Sequence, residues 1–298
     1  MSSLAETRGR TRTARHPHGT WRARSEALTA ARGLAEAAWQ QQIAGLTAER
    51  DALQRALADA AQVQRRLGGP RLFRRGDFEI AGESFPAQYV SGDLLTVFEV
   101  GGQTMFAIGD ICGKGLFAGM WFTHLSGLIR SFAQTCSEPA QIAERINSHL
   151  TALPPEPPLA TLFLGLLNPH SGQLTYCNAG HPAPLWLRAD GQVEMLFAGG
   201  PLLGAVAGAA FSNGQICLAP GETLIGYSDG VVECRNRNGQ DFDALRLAAA
   251  AAGAPCSAGA ILFSVLGATQ DFAAAQPRAD DIALLVVHRL TPAARAVS

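Results

Sequence analysis

The run Gly68-Gly69-Pro70 divides the sequence into two kinds of material, and that break restricts the possible folds more than any other feature. Before it, residues 21–67 contain no proline and are rich in Ala, Gln, Arg and Leu. Leu46, Leu53, Ala60 and Leu67 recur at seven-residue spacing, with Leu57 on the same face. That pattern predicts a helix, either with a coiled-coil seam or packed as an amphipathic helix on its own domain. The Gly-Gly-Pro run ends it. Beyond the break, short apolar runs are split by Gly, Asn and Asp. Residues 104–108, 161–167, 174–177, 223–227 and 282–287 read as strands, and Asn168-Pro169-His170-Ser171-Gly172 as the turn of a hairpin. Residues 116–134, 139–150, 243–252 and 257–271 read as helices. Strands and helices fall in clusters without strict alternation, which favours a layered α+β fold over a doubly wound sheet.

Charge follows the same division. Residues 1–76 carry 14 Arg and 6 acids, whereas residues 77–298 carry 9 Arg, 1 Lys and 19 acids. The expected organisation is a disordered basic tail over 1–20, a helical or coiled-coil regulatory segment over 21–69, and a folded domain over 77–298. An acidic domain is a poor nucleic-acid binder but suits cations. No apolar run reaches the roughly 18–20 residues of a membrane span. The Arg-rich N-terminus lacks the apolar core of a secretory signal, so a cytoplasmic location is the expectation. The six cysteines are far apart with no C-x-x-C pair, which fits free thiols.

The chemistry concentrates on aspartates that follow or precede apolar runs. Asp110 ends Met-Phe-Ala-Ile-Gly-Asp, Asp229 follows Leu-Ile-Gly-Tyr-Ser, and Asp280-Asp281 precede Ile-Ala-Leu-Leu-Val-Val. A fourth, Asp93, lies in Val-Ser-Gly-Asp-Leu-Leu. Asp110, Asp229 and the Asp280-Asp281 pair stand at the tips of expected buried strands, where a rigid sheet can aim them and solvent can reach them. Converging carboxylates repel one another unless a cation neutralises them, and hard divalent ions prefer such all-oxygen surroundings. Any one of these aspartates alone reads equally as a turn cap. Spacing by itself does not establish that the four converge.

Several segments resemble the SpoIIE/RsbU-type branch of the metal-dependent (2C-like, PPM) protein phosphatases. Val90-Ser-Gly-Asp93 resembles that family's Gly-Gly-Asp, and Ile108-Gly-Asp-Ile-Cys-Gly-Lys-Gly115 its Ala-Asp-Val-Ser-Gly-Lys-Gly. Ala160-Thr-Leu-Phe-Leu-Gly165 and Leu174-Thr-Tyr-Cys-Asn-Ala-Gly-His-Pro-Ala-Pro-Leu185 resemble its paired central strands and the turn after them. Tyr227-Ser-Asp-Gly-Val-Val-Glu233 and Ala279-Asp-Asp-Ile-Ala-Leu-Leu-Val-Val287 resemble its last two motifs, in the same order.

The resemblance implies a central antiparallel β-sandwich flanked by helices and preceded by the N-terminal helix. It further implies two divalent cations, Mn²⁺ or Mg²⁺, held by Asp93, Asp110, Asp229 and Asp280, with the backbone carbonyl of Ile111 as a further ligand. Asp280 is preferred to Asp281 because the family's ligand is the first of its pair. The implied reaction is direct hydrolysis of phosphoserine or phosphothreonine by a metal-bridging water. The implied substrate is a phosphorylated signalling protein such as an anti-sigma-factor antagonist, with a regulatory partner or a second copy acting through the helix.

Thr96 stands where the family often has a second acid, Cys112 replaces a usual Ser, and Pro158-Leu159 replace Met-Phe. Gly113 and Gly115 fit a tight strand-to-helix turn. Lys114, the single lysine, reads as either near phosphate or solvated, and His181 reads as a turn-stabilising residue in Asn-Ala-Gly-His-Pro. A P-loop is excluded, since only three residues separate Gly109 from Gly113 and Gly115 stands where Ser or Thr would bind Mg²⁺. No Arg lies six residues after any cysteine, which excludes a Cys-x5-Arg phosphatase. The rival from another class is a catalytically inactive scaffold of the same fold acting through its helix.

Overall fold

The computed structural model describes residues 18–153, 158–274, 276 and 280–291. The tail expected over 1–20 lies outside the described residues up to residue 17. Helix α1 (His18–Gly68) begins at its end and runs for 51 residues. The chain forms two compact units: α1 up to Ala56 belongs to the first, and Leu57 onward to the second.

In the first unit Trp21, Leu28, Leu34, Trp39, Ile43, Leu46 and Leu53 are all exposed. In the second, Ala61 and Gln64 are buried, and Leu67 packs against a core cluster. The seven-residue recurrence therefore changes role along the helix: Leu46 and Leu53 face solvent, while Leu67 is used within the domain. Gly69, at φ +94°, takes the left-handed conformation that closes a helix C-terminus. A β-carbon there would stand 2.7 Å from the Val97 carbonyl oxygen, so glycine also permits close passage over the sheet.

The rest of the second unit comprises β1 (Leu72–Arg75), β2 (Phe78–Phe85), β3 (Leu94–Val100), β4 (Gln103–Ile111), α2 (Gly115–Phe132), α3 (Pro139–Thr151), β5 (Ala160–Leu167) and β6 (Gln173–Ala179). There follow β7 (Leu185–Leu187), β8 (Val193–Met195), β9 (Gly199–Gly200), β10 (Gly214–Cys217), β11 (Thr223–Tyr227), the single turn α4 (Asp229–Val232), α5 (Asp243–Ala252), α6 (Ala258–Ala273) and β12 (Ile282–Arg289). One sheet has the order β1-β2-β12-β11-β7-β8. The other has the order β10-β6-β5-β4-β3, with β9 alongside β6. All pairings are antiparallel except the short β6–β9 contact. The expected hairpin joins β5 to β6, and Asn168 Oδ1 accepts from the His170 and Ser171 amides in its turn.

Three apolar layers explain why the strands read as uninterrupted apolar runs: both faces are covered. On β12, Ala283, Leu285 and Val287 point between the sheets, and Ile282, Leu284 and Val286 point towards α5 and α6. On β4, Phe106 and Ile108 point between the sheets, and Met105, Ala107 and Ile111 lie under α2 and α3. The result is the expected α+β sandwich with helices on both outer faces. Strands β2 and β3 were not expected, because Glu79, Glu83 and Gly82 interrupt the apolar signal in one and Thr96 and Glu99 in the other. Sheet pairing decided them.

Phe163 sits at the middle of the inter-sheet layer, stacked on Phe106 at 6.4 Å and on Tyr176 at 5.4 Å between ring centroids. Phe163→Ala is expected to cost about 3–5 kcal/mol through lost burial and the cavity left behind. Urea denaturation of the full chain measures it.

Candidate metal centre

The four predicted aspartates come from the two sheets and meet at one end of the sandwich. Asp93 immediately precedes β3 and Asp110 is the penultimate residue of β4; these strands are paired, with Leu94 opposite Gly109. Asp229 opens α4 directly after β11, and Asp280-Asp281 lead into β12, again a paired couple with Tyr227 opposite Leu284. Tight local packing fixes these ends. A β-carbon at Gly230 would collide with the Asp281 carbonyl oxygen, and one at Gly226 would reach within 2.9 Å of Ile108 on the other sheet. Beyond Asp110, Gly113 and Gly115 adopt φ values of +129° and +65°, so the expected sharp turn into α2 does require glycine.

The electrostatics follow from this convergence. Asp93, only 2% exposed, has its carboxyl pushed well above the usual range by burial, and Asp110, Asp281 and Asp229 add to the rise while the Ser228 hydroxyl opposes it. Asp110 is raised from 3.8 to about 6, first by burial and then by the negative charges of Asp229, Asp280 and Asp281, with the Ile111 amide pulling the other way. Burial and the Asp110 charge also push the Cys112 thiol up, which disfavours a thiolate.

The two members of the Asp280-Asp281 pair are used differently. Asp281 Oδ1 accepts from the Ala87 amide at 2.6 Å. Its Oδ2 accepts from the Ser91 hydroxyl at 2.9 Å and the Gly92 amide at 2.7 Å. Asp281 thus pins the loop that carries Asp93. Asp280 Oδ2 accepts from Lys114 Nζ at 3.1 Å, so the lysine from the Gly-Lys-Gly turn faces the acidic group.

Three observations fit a hard divalent cation. Asp93 Oδ2 is buried without a hydrogen-bond partner, a state a carboxylate oxygen tolerates poorly without a cation. A β-carbon at Gly92 would lie 3.2 Å from the Ile111 carbonyl oxygen and 3.4 Å from Asp110 Oδ1, so the glycine leaves room beside two of the expected ligands. The donor set is all oxygen. As the side chains stand, no three His, Cys, Asp or Glu among the described residues enclose a single point at metal-binding distance.

The sequence did not reveal the groups that orient these aspartates. Thr161 Oγ1 accepts from the Asp110 amide at 3.2 Å and meets His181 Nδ1 at 2.9 Å. His181 is buried, with burial lowering its imidazole to about 3, and it is neutral. Its amide and carbonyl are also both bonded to Asn178, so it braces the turn, as expected, and also reaches towards Asp110 through Thr161. Ser228 occupies the N-cap position of α4, but its side chain does not cap the helix; its hydroxyl accepts from the Ala283 amide instead. These partners lie far apart in sequence, and only register brings them together.

The family model described as Stage II sporulation protein E (SpoIIE) matches residues 100–290, a span that contains Asp110, Asp229 and Asp280 and begins just after Asp93. The chain belongs to the SpoIIE family. Protein IcfG of Synechocystis sp. is 30% identical over 190 residues, covering 54% of this chain and 30% of that protein. Phosphoserine phosphatase RsbU of Bacillus subtilis is 29% identical over 181 residues, covering 60% of this chain and 54% of that protein. The SpoIIE-family chain thus spans about a third to a half of the length of these relatives. In fold it is similar to the SiaA-PP2C domain of Pseudomonas aeruginosa, with TM-score 0.65, 18% identity, and coverage of 81% of this chain and 98% of that one. No helix among the described residues is long and apolar enough to cross a membrane.

Raised carboxyl pKa values have a definite sign in stability. A carboxyl that ionises at about 6 in the folded protein and near 3.8 in the unfolded chain penalises the folded state. The penalty is absent at low pH, grows through that interval and is complete above it. Asp110→Asn is therefore expected to raise the melting temperature of the metal-free protein at pH 7.5 and to lose that advantage by pH 4, as followed by circular dichroism in EDTA.

Proposed function

We propose that this chain is a metal-dependent serine/threonine protein phosphatase acting on a phosphorylated signalling protein. The observation that carries the reading is the meeting of Asp93, Asp110, Asp229 and Asp280 from two sheets at one end of the sandwich, with the buried Asp93 Oδ2 lacking a partner. Membership of the SpoIIE family and the similarity to phosphoserine phosphatase RsbU support it.

Asp93, Asp110, Asp229, Asp280 and the Ile111 carbonyl are the residues that would hold two divalent cations, Mn²⁺ or Mg²⁺. When bound, such ions lower the pKa of water and neutralise charge on a transferring phosphoryl group. The chain's own contribution is orientation. The sheets aim the aspartates, Thr161 holds the Asp110 amide, and Asp281 keeps the Asp93 loop closed. Lys114 lies on the Asp280 side, where its charge favours approach of a phosphate dianion. A phosphorylated anti-sigma-factor antagonist is the substrate class that the family resemblance supports.

With Mn²⁺ and a phosphoserine protein substrate, the full chain is expected to turn over, and Asp229→Asn to lose at least about 100-fold in kcat/KM, close to 3 kcal/mol of transition-state stabilisation. Turnover that survives both EDTA and this substitution would overturn the reading. Silence of the parent with a phosphoprotein and Mn²⁺ bound would favour the inactive scaffold.

Regulation through the helical segment over 21–69 is part of the same proposal. Apolar side chains at Trp21, Leu28, Leu34, Trp39, Ile43, Leu46 and Leu53 are exposed on α1, and a second copy of the chain would cover them. Light scattering is expected to give a dimer for the parent and a monomer for the double variant Leu46→Glu, Leu53→Glu. A monomeric parent would point to a separate regulatory partner instead.

A further inference from the structure

Helices α2 and α3 pack together over one sheet, and each carries a histidine beside a buried leucine: His124 precedes Leu125, and His149 precedes Leu150. Both leucines belong to one core cluster, so the helix backbones are fixed at these positions. The two imidazoles meet across the helix pair, with Nε2 to Nε2 at 3.0 Å and ring centroids 5.1 Å apart. Trp121, one turn before His124, stands edge-on to that imidazole at 5.5 Å between centroids, and Phe117 stands edge-on to Trp121. Arg145, one turn before His149, is engaged by the Thr135 hydroxyl and the Phe132 ring.

Two imidazole nitrogens this close need something between them, either a proton or a cation. A transition ion holds an imidazole nitrogen at about 2.0–2.1 Å, so two such ligands on one ion lie about 2.9–3.4 Å apart for square to tetrahedral angles. The observed 3.0 Å falls within that interval. Burial, and after it the His149 charge, lower the His124 imidazole from its ordinary value, which favours the neutral form that ligates. The pair offers nitrogen where the acidic group offers only oxygen. It also stands apart from that group, since His124 lies nine residues, about 13 Å along the helix, beyond Gly115 at the start of α2.

We infer that His124 and His149 form a separate cation site, a two-histidine clasp between α2 and α3 for a borderline divalent transition ion such as Zn²⁺, Ni²⁺ or Cu²⁺. The inference does not depend on the metal-holding role proposed for the aspartates. Water completes the coordination, since no third His, Cys, Asp or Glu among the described residues joins the pair. Binding moves the shared proton from Nε2 to Nδ1 of one ring and leaves the helices in place. Ligand type sorts the ions: imidazole favours Zn²⁺, Ni²⁺ and Cu²⁺, whereas Mg²⁺ and Mn²⁺ favour carboxylates. An ion on the pair ties α2 to α3 at the solvent edge of their contact.

The test is Zn²⁺ binding to the full-length protein by isothermal titration calorimetry in excess Mg²⁺, with tryptophan emission followed in a parallel Ni²⁺ titration. His124→Gln and His149→Gln are each expected to weaken one Zn²⁺ binding step at least about tenfold, because each removes one of two protein ligands. His170→Gln, in the exposed β5–β6 turn, should bind as the parent does, and Asp229→Asn should keep the step. Ni²⁺ should quench Trp121 beside His124, so the quenched component should be missing from Trp121→Phe and from both histidine variants. If one histidine variant does not fold, the other carries the same expectation. Parental Zn²⁺ affinity in a folded His124→Gln or His149→Gln would overturn the site and leave the pair as a hydrogen bond alone. A step lost in Asp229→Asn but kept in the histidine variants would put the ion on the acidic group and overturn the site equally.

Discussion

Apolar contact between the inner faces of the two sheets sets the separation of the carboxylates. Leu95 and Val97 on β3, Phe106 and Ile108 on β4, Leu224 on β11 and Leu285 on β12 all lie in that layer, and the ends of these four strands carry or adjoin Asp93, Asp110, Asp229 and Asp280. Without the layer, like charges would move apart. With it, burial first and the neighbouring negative charges second raise the carboxyl groups of Asp93 and Asp110. A folded state that confines acids in this way is less stable at neutral pH than its core would allow, and a cation relieves the repulsion. The same electrostatic cost that opposes folding would supply affinity for a cation in the proposed function.

Convergence of strand ends does not by itself give a defined site. Asp93 sits at the exit of a loop that crosses between the sheets, and such a loop has no ladder to hold it. Its position depends on side chains standing in for backbone partners: Asp281 receives two of its amides and a hydroxyl, and Gln64 takes both backbone groups of Ser91. This explains why adjacent aspartates have separate roles, Asp281 bracing the loop while Asp280 faces Lys114. The last turns of α1 belong to the domain both by packing and by the hydrogen bonds that close the site.

The strand and helix pattern was legible where local chemistry dominates. The runs that became β4, β5, β6, β11 and β12 are apolar on both faces and so survive as plain hydrophobic segments. The helices α2, α3, α5 and α6, the hairpin at Asn168 and the glycine turn at Gly113 and Gly115 follow from periodicity and backbone preference. Strands β2 and β3 were hidden, since Glu79, Gly82, Thr96 and Glu99 dilute the signal and only pairing with β12 and β4 stabilises them.

The four aspartates could be named from the sequence because each abuts a strong strand or a family-like motif, and those local features fix where along the chain an acid stands. Whether the acids meet, which of Asp280 and Asp281 braces the loop, and that Thr161, His181, Ser228 and Gln64 support the site were decided only by tertiary structure. Each of those facts is a relation between residues tens to nearly two hundred positions apart. Hydrogen bonds and charge interactions depend on distance in space, and distance along the chain does not set that distance until the sheets have paired.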